Sequence, residues 1–447
     1  MKKIIIPTVI FIISLFVVVN FSFAGAKKAE KAPAGKAEKV KLLVWWWGEG
    51  DTPGSEAWLK EVAGKFMKEN PQITVELVEQ SMDQLVPAWQ AAVAAQKGAD
   101  IQFFWTGIWC LEDVWKGDLE DLTKWIPQSE MDHWLATEGV SYQGKPWLVP
   151  WYQVQIVMLY NKQLFKKAGL DPKRPPATLE EFTADCKALK KAGIIPLSLG
   201  FKDGWGAEWL YSIIPPAQFD SINEIKLAAT KPGSYLTARH KDWLVKLHEL
   251  YTQGFINDTV MSLDFFQGRE LFLQGKSGFG MATNGQSIQW IEQMGGRDVA
   301  DIMRIPVMGP GKMAGKQNTQ IQAFGIPTFA ENKKEAAEFL IFMHRAENQN
   351  RWYEITKMFP ADDRFDKNII SNPIERDYYA YFEKENIPYF GIYLPVLVNT
   401  EGVYAAGQMV VSGSSPDEAA ALIEEKAEKW REVDPEGVEN FKKWAME

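Results

Sequence analysis

Between Val40 and Trp105 short apolar runs alternate with amphipathic stretches, and no other feature narrows what the chain can fold into as far as this one. Val40 to Trp47 is one such run, and behind it Trp58, Val62 and Phe66 recur at helical spacing after Ser55, which predicts a helix with Ser55 as its cap. Ile73, Val75 and Leu77 then alternate after Pro71, as a strand does. That is a βαβ unit, and a helix over Gln84 to Gln96 followed by Ala99 to Trp105, with IQFFW as a buried strand, repeats it. The pattern predicts an α/β fold around a mostly parallel sheet. At 447 residues the chain exceeds what one core usually serves, so two or three domains or lobes are expected.

Local signals continue downstream. Thr178 begins TLEEFTADCKALKKAG with Glu181 three residues on, a capping box, and Gly193 is the stop. A strand is expected over Ile194 to Gly200, and amphipathic helices over Arg239 to Gly254 and Glu331 to His344. The last third reads as mostly helical. IPVMGPGKMAGK (Ile305 to Lys316) has no periodicity and reads as a crossing between lobes or an exposed loop.

The N-terminus has its own logic. Lys2 and Lys3 precede an apolar run from Ile4 to Ala24, and small residues follow at Gly25 and Ala26, the pattern of a secretory signal. The run is also long enough to span a bilayer, so residues 1–26 read as a cleaved signal peptide or an uncleaved anchor. No Cys follows it to carry a lipid. Residues 27–39, rich in Lys, Ala and Glu, form a solvated tether. The chain is therefore expected to be exported, periplasmic or at the cell surface. Its net charge of −9 becomes more negative once Lys2 and Lys3 are cut away, which argues against nucleic acid as a partner.

Familiar reaction chemistry does not surface. GRELFLQGKS (Gly268 to Ser277) fails as a phosphate loop because six residues, not four, separate its glycines. No G-x-S-x-G or H-E-x-x-H occurs, and His133, His240, His248 and His344 are too scattered to suggest a metal. No catalytic residue, metal or cofactor is expected. Cys110 and Cys186 are the only thiols, and the sequence does not pair them.

Four blocks in order resemble one family. GKPWLVPWYQVQIVMLYNKQLFKKAGLDPKRPPATLEEF (Gly144 to Phe182), FFQGRELFLQGKSGFGMATNGQSIQWI (Phe265 to Ile291), QAFGIPTFAENKKEAAEFLIFM (Gln322 to Met343) and FPADD (Phe359 to Asp363) are similar to segments of the family 1 extracellular solute-binding proteins, the sugar-binding subunits of ABC importers. The turn at Asn284 to Gln286 departs from the family in lacking the aromatic that often follows its Gly, and the Trp45 to Trp47 run is unusual. The resemblance implies a two-lobed periplasmic-binding-protein fold that closes on a ligand in the cleft. Lobe 1 would hold residues 40–150 plus about 305–358, and lobe 2 residues 151–304 plus about 359–447. A receptor of this kind is expected to be a monomer that hands a mono- or oligosaccharide to membrane permease subunits, without enzymatic turnover.

In open α/β sheets ligands sit beyond the carboxyl ends of the strands. Here those ends carry Trp47, Glu49 and Asp51 after the first strand and Trp105 after the third. Trp planes suit the C–H face of a sugar, and carboxylates and amides suit its hydroxyl rim. Trp151 and Tyr152 fall at the expected first crossing, where hinge packing and ligand stacking compete. Trp205 lies in DGWGAEW, read as a Gly-rich loop that reaches the cleft. Asn284, Gly285, Gln286 and Trp290 form a turn and helix start whose N–H groups and amides suit hydroxyls. Among the 19 Trp, positions 45, 58 and 243 read as core. Two other readings stay open: a cage of aromatics and acids for a quaternary ammonium compound, and a secreted carbohydrate-active hydrolase using two carboxylates.

Overall fold

Alternate residues of β1 (Val40–Trp46) turn to one face, where Leu42, Val44 and Trp46 are buried. Trp45 consequently points to the other face and is half-buried, so Trp46 and not Trp45 is the core tryptophan of the run. The computed structural model describes residues 39–447, and the N-terminal signal and all of the tether but Lys39 lie outside the described residues.

After β1 come α1 (Ser55–Glu69), β2 (Ile73–Glu79), α2 (Met82–Ala95), β3 (Ile101–Trp105) and α3 (Ile108–Lys116). The first helix is not capped by Ser55. Gly54, at φ 100°, is the cap residue, and the Glu49 carboxylate accepts hydrogen bonds from Gly54 N (2.8 Å) and Glu56 N (2.8 Å). Ser55 is the first helical residue, and its hydroxyl donates to the Thr52 carbonyl. Further on, Thr178 caps its helix as expected, but Glu181 reaches past Thr178 to Ala177 N, so only half of the capping box forms.

Two sheets result. The first runs β10-β4-β9-β3-β1-β2, with β4 (Val149–Val154), β9 (Gln317–Gly325) and β10 (Phe359–Pro360), and β11 (Asn386–Pro388) pairing with β9. Strands β1, β2 and β3 are parallel, with Val40 opposite Ile73 and Val44 opposite Ile101. The pairs β3–β9, β9–β4 and β4–β10 are antiparallel, so the sheet is mixed and the expectation of a mostly parallel one is corrected. The reason is that β9 enters this sheet after a long excursion elsewhere, and a returning strand can run in either direction. The second sheet runs β8-β5-β7-β6, with β5 (Ile156–Asn161), β6 (Ile195–Leu197), β7 (Ser277–Thr283) and β8 (Ala300–Met303), and only β6–β7 is parallel.

Each sheet is the core of one lobe of a two-lobed α/β fold. The chain passes between them at Gln155, which separates β4 from β5. It passes again between β8 and β9, through the irregular segment of Pro and Gly that follows Ile305. Gly309 and Gly311 there lie so close to the backbone of Ala217 and Phe219 that a Cβ would meet it at about 2.5 Å. The first lobe's core stacks Trp58, Trp151, Tyr152 and Trp352, and Trp243 is fully buried in the second. Cys110 and Cys186 are both free and buried. Among the described residues no helix is long and apolar enough to cross a membrane.

The FPADD turn is held by charge. Asp362, wholly buried, bonds His344 Nδ1 (2.7 Å) and accepts from Arg364 Nη2 (2.7 Å) and Nε (2.9 Å). Burial by itself would raise this carboxyl, but the Arg364 and His344 bonds overcome it and hold it down at about 2. A depressed carboxyl stabilises the fold above its unfolded value near 4 and loses that contribution as pH falls toward 2. Asp362→Asn should therefore lower stability at pH 7 by about 3 kcal/mol, since breaking a buried pair leaves charge unbalanced. Urea unfolding measures it, and the deficit should shrink as the pH approaches 2; a deficit that is constant with pH would contradict the assignment.

Candidate functional site

The end of the first sheet faces a helix of the other lobe. That helix, α4 (Trp205–Ile213), starts at Gly204 with φ 85°, and its residues from Gly206 to Ile213 are all buried. The stretch DGWGAEW is thus the opening of a helix and not a flexible loop, which corrects the sequence reading. Trp205, Glu208 and Trp209 stand at i, i+3 and i+4, so they share one face. That face meets Trp47 and Asp51 from the loop after β1, and Trp105 at the end of β3. Phe265 opens α5 (Phe265–Leu273) beside them, Gln320 and Gln322 come from β9, and Tyr389 follows β11. Together with Trp109, Val154 and Ile156 these residues line a cavity of about 30 Å³.

The cavity is shut. Trp105 and Trp205, from opposite lobes, touch with ring centroids 5.3 Å apart and tilted by 58°. Trp47 meets Trp105 edge-on at 5.2 Å, and Trp209 meets Phe265 at 4.7 Å. A volume of about 30 Å³ holds about two waters, so any larger guest requires the lobes to part.

Polar groups sit among these rings with their bonding capacity partly unused. The Glu208 carboxylate accepts from Tyr404 Oη (2.8 Å), and burial pushes it up against that bond. Asp51 is pushed up by burial and drawn down by Arg269, whose Nη2 donates to Asp51 Oδ1 at 3.1 Å. Gln322 Oε1 is buried with no hydrogen-bond partner. An uncommitted acceptor beside two carboxylates is a place for donors such as hydroxyls.

Arg269 is the cross-lobe partner that sequence reasoning missed. It is 2% exposed, and its guanidinium lies over Phe265 (4.1 Å), Trp209 (4.8 Å), Phe266 (5.1 Å) and Trp290 (5.9 Å). It sits in GRELFLQGKS, the stretch dismissed as a phosphate loop. Gly268 beside it has a structural reason, because a Cβ there would stand 2.1 Å from Gly200 N. A second cross-lobe bond runs from Thr283 Oγ1 to the Asp51 carbonyl at 3.1 Å.

Of the residues picked from sequence, Trp47, Asp51, Trp105 and Trp205 line the cavity. Glu49 is occupied at the start of α1. Trp151 and Tyr152 are in the first lobe's core, stacked with Trp58 and Trp352, and are not among the cavity residues. Asn284, Gly285, Gln286 and Trp290 belong to α6 (Asn284–Gln293) and its surroundings, at the seam between the sheets. Asn284 Oδ1 accepts from Gln155 N (3.2 Å), and a Cβ on Gly285 would meet the Thr356 carbonyl at 2.5 Å, so this turn fastens the crossing. Glu208, Trp209, Phe265, Gln320, Gln322 and Tyr389 were not singled out. For Glu208 and Trp209 the signal was present, as a W-x-x-E-W spacing that puts three side chains on one helix face. Among the described residues no group of three His, Cys, Asp or Glu side chains is placed to hold a metal ion.

Residues 50–350 match the family described as bacterial extracellular solute-binding protein. Curated relatives from Brucella abortus and Brucella suis, described only as binding proteins, are 28% identical over 172 residues, 38% of this chain and 40% of theirs. The chain thus matches about two fifths of the length of these relatives. Among solved structures, a chitin oligosaccharide binding protein superposes with a TM-score of 0.79 at 20% identity, covering 88% of this chain and 99% of that one. An ABC transporter solute-binding protein of Thermotoga lettingae, bound with alpha-D-tagatose, superposes with a TM-score of 0.73 at 18% identity, covering 87% and 99%. At these identities the likeness establishes a shared fold.

Proposed function

The chain belongs to the bacterial extracellular solute-binding proteins, and from that premise we propose that it is an exported receptor that captures a mono- or oligosaccharide between its lobes and presents it to the permease of an ABC importer. The observation that carries this reading is the cavity itself, where the rings of Trp47, Trp105, Trp205, Trp209 and Phe265 surround the acceptors Asp51, Glu208 and Gln322. Ring faces cover the C–H surface of a pyranose, and acceptors of this kind take its hydroxyl protons. The lobe built on the first sheet, residues 40–154 with the returning strands β9 and β10, supplies Trp47, Asp51 and Trp105, so the boundary expected at residue 150 moves to the crossing at Gln155. The lobe built on the second sheet supplies α4 and Arg269. Gln155 and the irregular crossing after Ile305 bend as the lobes part. The protein acts as a monomer and makes or breaks no bond.

A panel of mono-, di- and trisaccharides tests this by thermal unfolding. A ligand at one hundred times its Kd stabilises the folded state by about 2.7 kcal/mol, which raises Tm by a few degrees. At least one sugar should do so and be recovered chemically intact. A panel in which no sugar shifts Tm while betaine or choline does would replace the reading with a quaternary ammonium receptor, for which the same rings and two carboxylates form a cage. New reducing ends after incubation would instead mark a hydrolase.

A further inference from the structure

Beside the shut cavity lies a larger opening that the proposed capture mechanism does not use. It is a groove of about 320 Å³ between α2 and α3, floored by β3. Leu85, Val86, Trp89, Gln90, Val93 and Ala94 are spaced so that one face of α2 forms its first wall. Trp109, Glu112, Asp113 and Lys116 likewise make one face of α3 and form the second. The groove and the central cavity have two residues in common, Trp105 and Trp109. Val396, from the C-terminal third of the chain, also lines it.

Three observations say what such a groove takes. Its volume falls within the range of about 300–1,000 Å³ usual for ligand pockets, whereas the central cavity is far below it. Its floor holds Gln102, which is 1% exposed, and whose Nε2 donates to the Phe103 carbonyl (2.8 Å) while its Oε1 is buried with no hydrogen-bond partner. A buried acceptor left in this state is costly unless a donor reaches it. Its walls place indole rings near carboxyls: Trp89 Nε1 donates to Asp113 Oδ2 at 2.9 Å, and burial pushes both Asp113 and Glu112 up to about 7. Rings for C–H faces, an amide acceptor and carboxyls for hydroxyls repeat the chemistry of the central cavity on the far side of Trp105 and Trp109.

We propose that this groove is a second glycan subsite, continuous with the central cavity past Trp105 and Trp109, so that the captured ligand is an oligosaccharide whose further rings leave the cleft along α2. The inference rests on the sugar-receptor reading and specifies its substrate class. When the lobes part, the half-buried Trp109 is the side chain whose movement joins the two spaces.

Calorimetry with maltose-, xylose- and N-acetylglucosamine-based oligomers of one to five units tests it on the chain and on two variants that fill the groove, Ala94→Trp and Val93→Trp. Ala94 is exposed and Val93 half-buried, and neither lines the central cavity. In whichever series binds, affinity should rise at least tenfold between two and four units. At least one of the two variants should remove that increment while leaving the Kd of the shortest binding oligomer within about twofold. Affinity that is flat with length overturns the subsite, as does an increment that both folded variants retain. Absence of binding by every series overturns the sugar reading itself and the subsite with it.

Discussion

Asp51→Ala should leave the protein folded and unable to close. Asp51 is the carboxylate that the first lobe sets against Arg269 of the second, at 3.1 Å, with both side chains buried. A guanidinium buried among four aromatic rings is tolerated because that carboxylate balances it. Removing one member of a buried pair costs about 3–5 kcal/mol. Here the penalty falls on the shut form alone, since parting of the lobes lets water reach the seam. Closure should weaken by a factor of about 10²–10³, and affinity for any ligand that needs closure should weaken with it. Small-angle scattering reads this directly: a saturating sugar should compact the wild-type chain and leave Asp51→Ala at its open radius of gyration. Arg269→Met should behave alike, and the double variant Asp51→Asn with Arg269→Met should recover closure, because a buried pair replaced as a whole is often neutral. Ligand-induced compaction equal to wild type in both single variants would refute the role of the pair.

The second large effect concerns Trp205→Ala. Its indole is the first residue of α4, and it touches Trp105 across the cleft, Phe265 beside it and Tyr404 behind it. A half-buried ring at a helix start contributes modestly to folding, but an aromatic at the centre of a desolvated site is where truncation costs most, about 2–4 kcal/mol. Sugar affinity should fall by roughly 30- to 1,000-fold at nearly unchanged stability. Titration calorimetry with thermal unfolding separates the two quantities. Unchanged affinity would remove Trp205 from the site, and a collapse of Tm would make its role structural.

Much of the fold was legible because the signals are short-ranged. The βαβ alternation from Val40 to Trp105, the Thr178 cap and the stop at Gly193 (φ 73°) each depend on residues within one or two turns of one another. Three local readings went astray for physical reasons. Strand parity placed Trp45 on the outer face. The carboxylate of Glu49, six residues upstream, took the role expected of Ser55. DGWGAEW, with two glycines, was read as a loop, although Gly204 serves it as a helix cap.

The site was legible only in outline. Trp47, Asp51 and Trp105 followed from the rule that ligands gather at the carboxyl ends of strands. Trp151 and Tyr152 follow the same crossing, yet both side chains pack on Trp352 in the core, because the register of β4 shifts at Trp151, where Tyr152 opposes Gln322 but Pro150 opposes Ala323, and both faces of β4 are buried.

By itself, then, the sequence determined an α/β chain of strands and helices in order, their caps and stops, and an aromatic and acidic character at the strand ends. Those properties are encoded in periodicity and in hydrogen bonds between near neighbours. Only the tertiary structure decided that Glu208 and Trp209 would face Asp51, that Arg269 would be its partner 218 residues away, and that Tyr389 would complete the wall. Such contacts arise where strands return to a sheet from another lobe, and the energy that selects them is burial of surface between distant segments, which leaves no periodic trace along the chain.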